Sequence, residues 1–185
     1  MGLVHSFNRQ LEIWLAHQGI SNINVGEGSD FCYFYEKHKI QWGMISTPKI
    51  EADFGQYFYE YGVQGVNLDP IDILVISFLH EVGHVMTLGN FSDEEMLIDA
   101  MDKENLTDNF AYWDQPVELA ANVWAINWIN SHVGEYKVLY KIFSTYLSAI
   151  AEDENVISQI QDWMDDVLDG DTDADLFIVE EDDYE

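Results

Sequence analysis

Between Asp69 and Gly89 the chain carries Ile73, Leu74, Val75, Ile76, Phe78, Leu79, Val82, Val85 and Met86, which together cover nearly every face of a helix. A helix that is apolar all round has to be enclosed by the rest of the fold. The segment therefore predicts a buried central helix with the other elements arranged about it. Asp69 is a capping residue type, Pro70 suits the first helical turn, and Gly89 lies just past the last apolar position. The second half of the run is interrupted by His80, Glu81 and His84. Polar groups buried without partners cost several kcal/mol, so these three require something that compensates them.

The remaining elements follow from periodicity. Leu3, Phe7, Leu11, Trp14 and Leu15 recur at helical spacing and predict a first helix over residues 3–18, ending near Gly19. Phe31 to Tyr35 and Ile40 to Ile45 are aromatic and β-branched, and the polar Glu36-Lys37-His38-Lys39 between them reads as the turn of a hairpin. Residues 54–66 are ambiguous between a short helix and a third strand. Ser92 and Glu95 form a capping-box pattern for a short helix. Asp114 and Pro116 open a long helix running to about Ser131, with Gly134 as its breaker, and two more helices are expected at 135–151 and 155–168. The sum is an α+β fold: a small antiparallel sheet near the N-terminus, then mostly helix.

With 185 residues, 48% of them hydrophobic and 14% aromatic, the chain suits one domain, 1–185, with a packed core. No stretch approaches the ~20 uninterrupted apolar residues of a membrane span, and the first residues lack the pattern of a cleaved signal. The expectation is a soluble, cytoplasmic protein without a membrane partner. Met1-Gly2 through Ser6 has the form of a myristoylation acceptor, meaningful only in a host with the acylating enzyme. The single cysteine, Cys32, can form no internal disulfide and sits in an aromatic run, as a small core residue would.

Charge separates the two halves. The 35 acidic and 7 basic residues give −28, of which residues 1–90 contribute −6 and residues 91–185 contribute −22. From Ala151 onward there are 15 acidic residues and no basic one. Direct nucleic-acid binding is excluded as an expectation. The acidic half reads first as solvated surface, with an acidic C-terminal segment from about residue 169, and second as a face for a basic protein partner.

The chemistry centres on His80-Glu81-Val82-Gly83-His84. Histidines at i and i+4 project from one helical face, so both rings can reach one Zn²⁺ at about 2.0–2.1 Å. Glu81 beside them suits a general base acting on water that zinc has acidified. With 6 His and 16 Glu in 185 residues, H-E-x-x-H arises by chance in roughly two such chains per hundred, and placement in an apolar helix lowers that further. A catalytic zinc takes three protein ligands and leaves a position for water. Glu118 is the best third candidate, because Ala121, Asn122 and Ala125 follow it on one face and small residues allow close helix approach. Asn122 could then hydrogen-bond a ligand from behind. His132, Asp114 and Asp99 are alternatives. Tyr112 and Trp113 could border a cleft, whereas His5, His17 and His38 have no partner at metal spacing.

H-E-x-G-H followed by a helix reading E-x-x-A-N-x-x-A resembles the short zincin metallopeptidases of the ImmA/IrrE type and related phage proteins. The resemblance rests on residues 80–84 and 118–125, with 33 residues between His84 and Glu118. It implies a zincin-like fold, zinc held by His80, His84 and Glu118, and Glu81 as the base for hydrolysis of a protein or peptide substrate. The rival is a non-enzymatic acidic protein on the same scaffold that binds or inhibits a basic partner. A further pattern, Asp169 to Glu180, puts acids at positions 1, 3, 5, 7 and 12 of a calcium-type loop, but Ala174 stands where glycine is usual.

Overall fold

The computed structural model describes residues 2–29, 31–43, 69–92 and 115–150. Helix α1 spans Leu3–His17 and buries Phe7, Leu11, Trp14 and Leu15, while Leu3 at its start is exposed. Gly19 ends it at φ +79, a left-handed conformation suited to glycine. The Ile20 and Gly19 N–H groups then bond back to the carbonyls of Leu15 and Ala16 at 2.9 and 3.0 Å, a Schellman closure that seats Ile20 against the core.

Strands β1 (Asn24–Glu27), β2 (Cys32–Phe34) and β3 (Lys39–Trp42) form one sheet in the order β1-β3-β2. The expected hairpin is present: β2 pairs antiparallel with β3, Tyr33 standing opposite Ile40, across a short 3₁₀ turn at Tyr35–Lys37. The expectation of a wholly antiparallel sheet needs correcting, because β1 pairs with β3 in parallel, Val25 opposite Ile40. α1 packs against β1, and Glu12 on α1 accepts from the Val25 N–H at 3.3 Å. Cys32 is half-buried in β2, as its surroundings in the sequence imply.

Helix α2, Pro70–Thr87, is the predicted central helix. Asp69 caps it by accepting from the Asp72 N–H at 2.7 Å, and every residue from Asp72 to His84 is buried. By length and composition the Pro70–Asn90 segment could cross a membrane, but 78% of its apolar window is buried inside the fold, as in a core helix. Helix α3 (Pro116–Ser131) packs on α2 more extensively than any other pair of described elements. His132 alone separates it from α4 (Val133–Ile150). The break therefore falls at His132 and not at Gly134, which lies in the first turn of α4. Tyr136 and Tyr140 on α4 donate to Asp72 and Asp69 at 2.6 and 2.7 Å, pinning α4 to the start of α2.

α1, α4 and the sheet enclose an aromatic cluster. Phe7 stacks on Tyr146 and meets Trp42 and Phe143 edge-on, while Phe78 of α2 meets Trp14 and Phe143. The sequence expectations at 54–66, Glu95 and the helix that Ser92 would cap, the helix at 155–168 and the acidic C-terminal segment lie outside the described residues.

Candidate metal centre

The α2 backbone sets the first geometry. One helical turn apart, His80 and His84 turn their rings to the same side, with Nε2 atoms 3.0 Å apart. The second geometry comes from α3. Gly83 lies against Ala121 so closely that a Cβ at Gly83 would stand 2.5 Å from the Ala121 carbonyl oxygen and 2.9 Å from its Cα. Only glycine permits that approach, and it carries Glu118, in the first turn of α3, to the histidines. Glu118 Oε2 lies 3.0 Å from His80 Nε2 and 3.3 Å from His84 Nε2.

Three donor atoms thus form a triangle with sides of 3.0, 3.0 and 3.3 Å. Tetrahedral ligands held about 2.0–2.1 Å from an ion stand roughly 3.3–3.4 Å from one another, close to this spacing. Behind the triangle, His80 Nδ1 meets Asn122 Oδ1 at 2.8 Å. An amide oxygen only accepts, so Nδ1 carries the hydrogen and the neutral ring turns the lone pair of Nε2 to the other two donors. Lone pairs converging on one point in a buried place call for a cation among them. The residues present therefore fit a metal ion. Its chemical identity follows from the donor set only as a preference: two imidazoles and a carboxylate suit zinc among several transition metals.

Glu81 stands beside this triangle. The possible ligand atoms of His80, Glu81 and His84 lie within 4.8 Å of one another, and all three residues are buried, so this group can hold a metal ion. Glu118 Oε2 is within 3.3 Å of both Nε2 atoms, and Glu81 supplies a second carboxylate within 4.8 Å of a ligand atom of each histidine. Burial raises the Glu81 carboxyl above its ordinary pKa, against the lowering charges of His80 and His84; Glu118 adds to the rise and a hydrogen bond from the Tyr33 backbone opposes it. Burial also acts to raise Glu118, but when the His80 and His84 rings carry a second proton in the place an ion would take, their hydrogen bonds and charges hold it well below the usual carboxylate range. For His80 burial acts downward, and the bond to and charge of Glu118 overcome it, with help from Glu81 and Asn122, leaving the ring raised. The Nδ1 atom of His84 is buried with no hydrogen-bond partner among the described residues.

Comparison with protein-family models, with curated proteins and with solved structures gives no match. The site is therefore judged on its own atoms. Of the candidate ligands, the structure brings His80, His84 and Glu118 together. His132 is elsewhere: it stacks on Trp128 at the C-terminal end of α3, its Nδ1 3.0 Å from the Trp128 carbonyl oxygen. Fourteen residues along a helix from Glu118 amount to about 21 Å. Asp99, Asp114, Tyr112, Trp113 and the Asp169–Glu180 loop lie outside the described residues. His5, His17 and His38 are exposed, as expected. Two contributors escape a reading of the sequence. The role of Gly83 shows only when Ala121 is placed against it, and the backbone of Tyr33 leaves no mark in a side-chain pattern.

Proposed function

We propose that this protein is a zinc-dependent peptidase of the zincin type, in which His80, His84 and Glu118 hold the metal and Glu81 is the general base. What carries the reading is the triangle of His80 Nε2, His84 Nε2 and Glu118 Oε2, with sides of 3.0–3.3 Å and a buried carboxylate next to it. The likeness of the two motifs to the ImmA/IrrE type supports it from the sequence side.

A bound zinc ion supplies Lewis-acid polarisation of a peptide carbonyl and makes water easier to deprotonate. The protein's own groups do the rest. Asn122 fixes the tautomer of His80, so the ring keeps its lone pair on Nε2. Glu118 brings the one negative charge of the ligand set. Glu81 accepts the proton of the attacking water and returns it to the leaving amine, a role that suits a carboxyl raised by burial. The substrate is a protein or peptide.

Metal content tests the reading before any substrate is known. Protein purified without added metal should carry about one zinc per chain, lost in His80→Ala and in Glu118→Ala. A wild type that is metal-free and resists reloading sinks the proposal. Glu81→Gln should keep the zinc and lose hydrolysis.

The charge favours one alternative. With −22 on residues 91–185, the chain carries more acid than solubility needs, which suits occupation of a basic protein partner. In that case Glu81→Gln leaves function intact.

A further inference from the structure

Glu81 accepts a hydrogen bond from the backbone N–H of Tyr33, the middle residue of β2. The sheet explains why this donor is free to be used. The carbonyls of His38, just before β3, and of Trp42 at its end accept from Asn24 and Gly28, so the peptide groups of alternate residues 38, 40 and 42 turn toward β1. Ile40 is among them and stands opposite Tyr33. Tyr33 therefore occupies a pair that exchanges no ladder bonds with β3, and its N–H points away from β3, to the side of β2 that pairs with no other described strand; α2 packs on β2. Outward donors on an edge strand ordinarily face water or another chain. This one faces a buried carboxylate.

We infer that the peptide N–H of Tyr33 is a positioning group for the general base, holding one carboxylate oxygen of Glu81 so that the other is set beside the His80 and His84 donor atoms. This rests on the peptidase reading above. Glutamate has three rotatable bonds, and nothing in the H-E-x-x-H spacing fixes the outer two; a donor fixed in a strand does. The consequence is that strand β2 and helix α2 act as one unit, and the base is aligned by a backbone group that any side chain at position 33 would supply, proline excepted.

Tyr33→Pro removes the N–H and, because that N–H makes no ladder bond, leaves the pairing with β3 intact. Tyr33→Ala removes the ring and keeps the N–H. Zinc content and binding of acetohydroxamic acid, a metal-directed probe that gives its proton to a base beside the ion, are measured for wild type and both variants by elemental analysis and calorimetry. Tyr33→Pro should bind the probe about tenfold more weakly at unchanged zinc content, and Tyr33→Ala within about twofold of wild type. Equal binding by Tyr33→Pro and wild type overturns the inference, as does a zinc-loaded wild type indifferent to the probe. A wild type that takes up no zinc sinks the peptidase reading instead, and the zinc measurement separates the two failures. A proline variant can misfold, so the Tyr33 amide proton provides a second reading by nuclear magnetic resonance. It should move upfield in Glu81→Gln, where the acceptor loses its charge; an unmoved resonance shows that Glu81 is not held there and overturns the inference as well.

Discussion

The two sides of α2 are built on different principles. Toward α1 and α4, Phe78 joins Phe7, Trp14, Trp42, Phe143 and Tyr146 in a cluster of ring contacts with centroids 4.2–6.1 Å apart. Toward α3, two residues on, His80 meets Glu118 and Asn122 at 3.0 and 2.8 Å. The first side is held by apolar area, which is undirected and adds up over many contacts. The second is held by a few directed groups whose worth depends on placement within tenths of an ångström. Damage should separate accordingly: stability on one side, metal binding on the other.

The largest effect is expected from Phe7→Ala, which removes a fully buried ring from the aromatic side. Unfolding in urea should show a loss of about 3–5 kcal/mol, and the variant that remains folded should keep its full zinc content. Zinc loss there would break the distinction.

Gly83→Ala should come next, and it sharpens the comparison because packing and chemistry meet at that point. A methyl 2.5 Å from the Ala121 carbonyl oxygen forces α2 and α3 apart. The cost in stability should be about 1–3 kcal/mol, and Glu118 should be drawn away from the histidines. Metal competition titration should therefore show weakened binding beyond what the stability change accounts for.

Asn122→Ala removes the acceptor behind His80 while leaving every ligand in place. Zinc affinity should fall by about 10–100-fold with a smaller change in the unfolding midpoint. Unaltered affinity would mean that the ring needs no tautomer control from this residue.

The smallest effect belongs to the clamp between α2 and α4. Burial first, then its hydrogen bond to and the charge of Asp69, raise the Tyr140 phenol from 10.0 to about 12. The folded chain thus holds this proton to higher pH than the unfolded chain does. Its stabilisation should be complete below about pH 10 and disappear as pH rises through about 12. The difference in urea midpoint between wild type and Tyr140→Phe should shrink to nothing over that interval, with metal binding untouched at neutral pH.

Local order was legible because helical and strand periods act over a few residues. The Asp69 cap and Pro70 start, the burial of α2, the hairpin of β2 and β3, and the convergence of His80 and His84 all depend on neighbours within about one turn or one tight loop. That is why they could be read from the chain. Glu118 was legible in part, since the small residues after it announced close packing, yet His132, Asp114 and Asp99 stood beside it as alternatives.

What only the tertiary structure decided depends on contacts across many residues. The parallel pairing of β1 with β3 has no local signal, because β1 is four residues with two buried or half-buried positions, one of them a glycine, and its partner is chosen by where α1 delivers it. The selection of Glu118 over His132 required the backbone contact of Gly83 with Ala121, a distance no spacing rule contains. The bond from the Tyr33 peptide to Glu81 is invisible in the sequence for a simpler reason: every non-proline residue carries the same N–H, and only the direction of the strand decides where it points.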